Sequence, residues 1–283
     1  MNRKNKARLF LSIMAMALLA LQACGSLNVR NNDEKYTPYT DTTVIGSITW
    51  PWKTHYSNMA SCQTALGTFA ANTMRWKTGA DFAVVNAGTV RWNPPDPAGD
   101  ILPAGLITKG DVARFLPYDN LSGIAPATNP ATIVTLSLNG AVIKEMFENS
   151  FSRMLADGTP GTSYGRFLQV SGEIQVFADV TKPVGSRITA IYIRSTPPTP
   201  IDLTDTTKLY RVAVLKKYIK DAPGYADYDK YWNILAQGSN VVDSTIYLYD
   251  AAVDAFLKFS PFADMGDPAD CSDPTLNLVI THQ

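Results

Sequence analysis

From Thr42 onward, segments of helical period and segments of strand period alternate without a repeat, which restricts the chain to a mixed α and β architecture. Apolar residues recur at helical spacing over 59–76 (Met59, Cys62, Leu66, Phe69, Ala70, Met74), with Asn58 as a candidate cap. Residues 81–85 read as a buried strand that stops at Asn86-Ala87-Gly88, where Gly88 is expected to take positive φ and turn the chain sharply. Thr108 is placed to cap a short helix over 111–115. Residues 132–138 alternate as a strand, and Asn139-Gly140 then opens a helix through Phe147. Strands follow at 167–170, 174–177, 188–193 and 209–215, then a helix over 247–259 and a closing strand over 277–281. The Pro-rich stretches 93–99 and 195–200 cannot continue either element and read as loops. The expected fold class is α+β, a mixed β-sheet with packed helices, in one domain over residues 42–283.

The first residues carry a different message. Arg3, Lys4, Lys6 and Arg8 precede an apolar run over 9–21. A spanning helix needs about 20 apolar residues, so this shorter run reads as a secretory signal. It ends in Leu21-Gln22-Ala23-Cys24-Gly25, which resembles the lipobox of bacterial lipoproteins. The resemblance implies a signal peptide over 1–23 and acylation of Cys24. Two or three acyl chains make a durable anchor, at about 0.8 kcal/mol for each buried methylene. Residues 24–41 are polar and aperiodic, as a flexible tether would be. Gly25 stands where inner-membrane lipoproteins carry Asp, so the expected location is the bacterial cell envelope, at the outer membrane.

Charge and cysteine content narrow the chemistry. Lys plus Arg number 25 and Asp plus Glu number 25, a formal net charge of zero, and no basic stripe is interleaved with aromatics. Nucleic-acid binding is therefore not expected. With Cys24 assigned to lipid, Cys62 and Cys271 remain, and an oxidising compartment permits a bridge between them. Sequence leaves open whether their Cα atoms come within bridging distance. The two histidines, His55 and His282, do not occur in metal-ligand spacing. The chain contains neither a Gly-x-Ser-x-Gly nucleophile turn nor a Gly-rich phosphate loop. No metal, no cofactor and no catalytic residue is expected from the residues alone.

Five segments, in order, follow a recognisable pattern. The first runs Leu66-Gly67-Thr68-Phe69-Ala70-Ala71-Asn72-Thr73-Met74, similar to Leu-Gly-Asn-Leu-x-Ala-Asp-Ala-Met. Ala80-Asp81-Phe82-Ala83-Val84-Val85-Asn86-Ala87-Gly88-Thr89-Val90-Arg91 is similar to Ala-Asp-x-Ala-x-x-Asn-Gly-Gly-Gly-Ile-Arg. Gly105-Leu106-Ile107-Thr108-Lys109-Gly110-Asp111-Val112 and Leu116-Pro117-Tyr118-Asp119-Asn120 follow, and Gly165-Arg166-Phe167-Leu168-Gln169-Val170-Ser171-Gly172 closes the set. Together they resemble the C-terminal, substrate-binding domain of 5′-nucleotidases, and the resemblance covers about residues 42–260. It implies that Arg91 clamps phosphate, as its planar charged fork suits. It implies that Asn86 offers donor and acceptor to a base edge. Tyr118 and Tyr218 stand as the two rings that would stack on the base, at about 1–3 kcal/mol for each stack. The segment 165–172 reads as structural, since a strand between two glycines needs that composition with or without ligand.

The pattern also breaks. An arginine expected before the Leu-Gly motif has no counterpart in Ala60-Ser61-Cys62-Gln63-Thr64. Where the family pattern reads Gly-Gly-Asp-Gly-Tyr, this chain has Asp221-Ala222-Pro223-Gly224-Tyr225, so the ribose-gripping carboxylate is displaced. The family's hydrolytic half, a metallophosphatase domain with two metals, has no matching motif in these residues. The sequence reading is therefore a lipid-anchored protein that binds a nucleoside or nucleotide and does not hydrolyse it alone. Its alternatives are the substrate-binding half of a split 5′-nucleotidase acting with a separate metallophosphatase chain, and a surface scaffold whose pocket has decayed.

Overall fold

Thr64 decides where the first long helix begins. Its backbone is extended and its hydroxyl accepts from the Gly67 N–H, which caps a helix over Ala65–Thr78. The periodicity from Met59 had suggested one continuous helix. A short helix, Tyr56–Met59, instead precedes a break. The reason is Gln169, whose buried amide takes the backbone groups of the break: its Oε1 accepts from Thr64 N at 2.9 Å, and its Nε2 donates to the carbonyls of Met59 and Cys62 at 2.7 and 2.6 Å. Those groups are satisfied without helix. At the far end, Gly79 in the left-handed region closes the helix with its N–H on the Arg75 carbonyl.

The computed structural model describes residues 41–54, 56–90, 101–116, 132–161, 164–218, 231–263 and 271–282. In chain order the strands are β1 Val44–Ile48, β2 Trp52–Lys53, β3 Phe82–Asn86, β4 Ile101–Leu102, β5 Gly105–Thr108, β6 Thr132–Asn139 and β7 Leu168–Val170. They continue with β8 Ile174–Asp179, β9 Ile188–Ile193, β10 Thr199–Pro200, β11 Leu209–Leu215, β12 Ser239–Tyr247 and β13 Leu278–Thr281. The helices are α1 Tyr56–Met59, α2 Ala65–Thr78, α3 Lys109–Phe115, α4 Gly140–Phe151, α5 Tyr231–Leu235 and α6 Leu248–Phe259. Cys24 and the segments read as signal and tether lie outside the described residues, apart from Asp41.

Five strands pair in the order β12-β6-β11-β3-β7. Only the β11–β3 pair among them is parallel, with Val212 opposite Phe82 and Ala213 opposite Ala83. A second sheet of four strands, β10-β9-β8-β13, has the C-terminal strand parallel to β8. Two small two-stranded sheets, β1-β5 and β2-β4, complete the set among the described residues. Every residue of β3 is buried, as its apolar run predicts for a strand covered on both faces. The α+β reading holds: helices pack on mixed sheets, and α2 and α6 share an aromatic core of Trp52, Phe69, Phe115, Phe256 and Phe262. No helix of the described residues is long and apolar enough to cross a membrane.

Boundaries expected at α3, α4 and β11 agree closely with the structure. Thr108 and Asp111 form a reciprocal capping box, and Asn139 accepts from Val142 N at the start of α4. Strand β12 was not expected. It is an exposed edge strand rich in Ser, Asn, Asp and Thr, with irregular pairing and positive φ at Asn240 and Thr245, so no burial alternation marks it. Many turns use one device. The Asp41, Asp157, Asp179, Asp202 and Asp205 carboxylates each accept from the threonine two residues on. Those bonds hold each carboxyl below the usual carboxylate range.

Two side chains and one bridge fasten the chain's distant parts to the α1–α2 break. Gln63 Oε1 accepts from the N–H groups of Asn277 and Leu278 at 2.7 and 3.1 Å, which seats the start of β13. Cys62 and Cys271 are joined as a disulfide with Cα atoms 5.5 Å apart, across 209 residues of sequence. Gly67 is required where α2 passes β7, because a Cβ there would lie 2.3 Å from Gln169 Oε1. Replacing Gln169 by Leu leaves three buried backbone groups unpaired, each costing about 1–3 kcal/mol. Gln169→Leu is therefore expected to destabilise the fold by about 3–5 kcal/mol in urea unfolding. A loss below about 1 kcal/mol would mean the break is held by something else.

Candidate functional site

The parallel pairing of β11 with β3 brings several chain ends to one edge of the five-stranded sheet. Strands β3 and β11 finish there, and β6 and β7 begin there, since Leu215 faces Ile133 and Asn86 faces Leu168. The offset that sets Phe82 opposite Val212 places Asn86 level with Lys216. Beyond β3 the chain turns tightly, with the Thr89 N–H on the Asn86 carbonyl. Beyond β11 it enters a short 3₁₀ turn, Lys216–Tyr218. The Asn86 turn and the Lys216 turn therefore meet.

Their meeting point is the Thr89 hydroxyl. Asn86 Nδ2 donates to the Gly165 carbonyl at 2.9 Å, which fixes the amide's orientation and leaves Oδ1 facing Thr89. Thr89 Oγ1 has hydrogen-bond contacts to Asn86 Oδ1, to Lys217 Nζ and, at 3.1 Å, to the Tyr218 hydroxyl. A hydroxyl has one proton and two lone pairs. Asn86 Oδ1 can only accept and the ammonium can only donate, so Thr89 donates to Asn86 and Tyr218 donates to Thr89. The proton positions in this cluster follow from the residue types alone. Asn86, Thr89 and Tyr218 are all buried.

The surroundings are aromatic and backbone. Tyr218 meets Tyr231 edge to face with centroids 5.8 Å apart, and the Tyr231 hydroxyl donates to the Arg166 carbonyl. Lys217 Nζ lies 5.3 Å from the Tyr218 ring centroid. The Gly88 N–H also reaches the Gly165 carbonyl, and the Ala87 N–H reaches the Phe167 carbonyl. Gly88 does not take the positive φ expected from the sequence. What requires a glycine is close approach, since a Cβ would lie 3.2 Å from Asn86 Nδ2 and 3.3 Å from the Gly165 carbonyl oxygen. Lys216, the neighbour of Lys217, points elsewhere and pairs with Asp243 at 2.6 Å.

Of the four residues read as substrate contacts, Asn86 and Tyr218 come together, joined through Thr89. Both groups of the Asn86 amide already have partners, and Tyr218 is packed as an interior ring. Arg91 and Tyr118 lie outside the described residues, as do Asp221 and Pro223. Thr89, Lys217 and Tyr231 were not singled out from sequence. Thr89 carried a signal, because it stands where the resembling pattern has a glycine. Among the described residues, no three His, Cys, Asp or Glu side chains gather as metal ligands would. His282 is exposed beside Gly158, and His55 lies outside the described residues.

The sequence profile described as "5′-nucleotidase, C-terminal domain" matches residues 44–226. The chain belongs to this family. A curated relative, the NAD 5′-nucleotidase of Haemophilus influenzae, is 27% identical over 194 residues, covering 68% of this chain and 27% of that protein. Among solved structures, the 5′-nucleotidase precursor of Thermus thermophilus superposes with a TM-score of 0.63 at 22% identity, covering 85% of this chain and 40% of that one. The NAD nucleotidase of Haemophilus influenzae gives a TM-score of 0.60 at 21% identity, covering 85% of this chain and 38% of that one. These structures share the fold of the 5′-nucleotidase C-terminal domain. The chain spans about a quarter of the curated relative and about two fifths of each of these structures.

Proposed function

We propose that this protein is a lipid-anchored, nucleotide-binding module of the bacterial cell envelope, holding its ligand at the sheet edge where the β3 and β11 turns meet. The observation that carries the reading is the convergence of Asn86, Thr89, Lys217 and Tyr218 at that edge, inside the stretch that matches the family. Two backbone turns with an aromatic ring and an ammonium beside them make a setting at a sheet edge in which a phosphorylated nucleoside can be held. Arg91, two residues past Thr89, is assigned to phosphate, and Tyr118 to the base. A second reading is the substrate-binding half of a split 5′-nucleotidase acting with a separate metallophosphatase chain, supported by the match of residues 44–226 to the family's C-terminal domain.

Calorimetry with adenosine, AMP and NAD tests the binding. The expected result is saturable binding of the phosphorylated ligands, with Arg91→Ala weakening AMP by about 10- to 100-fold and adenosine far less. Equal losses for both would remove Arg91 from phosphate, and no binding of any of the three would leave the scaffold reading standing. The anchor is tested separately by intact mass of the membrane-extracted protein. The expected mature chain begins at acylated Cys24, and a chain of unmodified mass retaining residues before Cys24 would contradict it.

A further inference from the structure

We infer that the projecting end of α6 is a bilayer-docking surface, which lies against anionic phospholipid while the Cys24 anchor holds the protein at the membrane. The inference rests on the lipid-anchored reading above and adds the face that the anchored protein presents. The burial pattern of α6 carries it first. Ala251, Ala252 and Val253 are buried at consecutive positions, whereas Leu257, Lys258 and Phe259 are exposed at consecutive positions. Three successive residues span about 200° of a helix, so the last turn stands clear of the core on nearly every side. Leu257 is 62% exposed, Phe259 46% and Trp50 55%. Trp50 flanks this end, because the preceding Thr49 donates its N–H and its hydroxyl to the Phe262 carbonyl. Trp76 of α2 meets Phe259 edge to face with centroids 4.9 Å apart. Single exposed apolar residues need no explanation, but a cluster at one helix end marks an interaction surface.

The chemistry of this end fits a membrane interface. Lys258 Nζ lies 5.0 Å from the Trp76 ring centroid and 5.4 Å from that of Phe259, and Lys77 Nζ lies 4.4 Å from Trp76. Tryptophan rings settle at the headgroup level of a bilayer, and lysines beside them reach the phosphates. Lys77 is paired with Asp254, so Lys258 carries the excess charge of the face, and Asp250 lies two turns back towards the helix start. A projecting tip is convex and suits a deformable surface, whereas a small ligand takes a concave site. The reach of the anchor agrees. Cys24 and Asp41 are 17 positions apart in sequence, a span of at most about 60 Å. Asp41 leads into β1, which is fastened to the same end of α6. There the Ser260 hydroxyl accepts from Ser47 N at 2.6 Å, and the Phe262 N–H donates to the Ser47 carbonyl. Tethering makes docking intramolecular, at an effective concentration of about millimolar, so a small face suffices.

The test reconstitutes the full membrane-extracted protein, through its own anchor, into vesicles whose phospholipid is brominated in the acyl chains as a tryptophan quencher. Flotation reports the anchor, and quenching reports the docked face. Wild type is expected to float with phosphatidylcholine vesicles and with vesicles containing phosphatidylglycerol, and to be quenched chiefly on the latter. Lys258→Glu lowers the docked-to-free ratio on the anionic vesicles by about fivefold or more. Leu257→Ser lowers it by about tenfold. Both variants still float, and Val184→Ser, a comparably exposed apolar residue in the β8–β9 turn, behaves as wild type. Where a variant does not fold, judged by its thermal melt, Lys258→Gln or Leu257→Gln gives the same comparison. Wild type that floats without quenching on either vesicle overturns the docking face, leaves it to a protein partner and lets the anchor stand. Quenching unchanged in the Lys258 and Leu257 variants overturns the face as well, and equal quenching on the two vesicles overturns the assignment to anionic lipid. Wild type that does not float overturns the anchor and the docking together.

Discussion

The parallel pairing of β11 with β3 is the contact on which the rest depends. In a sheet whose other pairings are antiparallel, it forces the ends of two strands far apart in sequence to finish at the same edge. Antiparallel order there would carry Lys217 and Tyr218 to the opposite end from Asn86. Register then sets the detail, because a shift of one residue would turn the strand's side chains to the other face. The Thr89 hydroxyl can bridge the two turns only because that register brings Asn86 level with Lys216.

The edge is held from beneath by backbone satisfied through side chains. Gln169, on the strand next to β3, binds three backbone groups of the α1–α2 break, and Gly67 gives it room. Gln63 and the Cys62–Cys271 bridge attach the C-terminal strand to the same break. Residues that sequence reading took as structural, those of 165–172, thus position the site without forming it. The Gly165 carbonyl is the exception, since it orients the Asn86 amide and receives the Gly88 N–H.

Much of the fold was legible because it follows from local chemistry. Thr108 with Asp111, Asn139 before Gly140 and the apolar run of β3 each carry their signal within a few residues. The α1–α2 break was not legible, because the group that satisfies it comes from a residue more than a hundred positions away. Strand β12 was missed because an exposed edge with irregular pairing loses the period of two. Asn86 was singled out through a motif and Tyr218 as the candidate second ring, but their joining through Thr89 depends on strand pairing that no single segment encodes. Gly88 shows the same limit, since its small size answers a neighbour across the turn and not its own backbone angle.

These features describe an edge organised before ligand arrives, in which an amide, a hydroxyl and an ammonium hold each other in fixed orientation. The most direct measurement is a crystal structure of the protein grown with AMP. Nucleotide seated at this edge, with the Thr89 cluster intact, is the expected result. Nucleotide bound on another surface, or crystals grown at saturating AMP that hold no nucleotide, would contradict it.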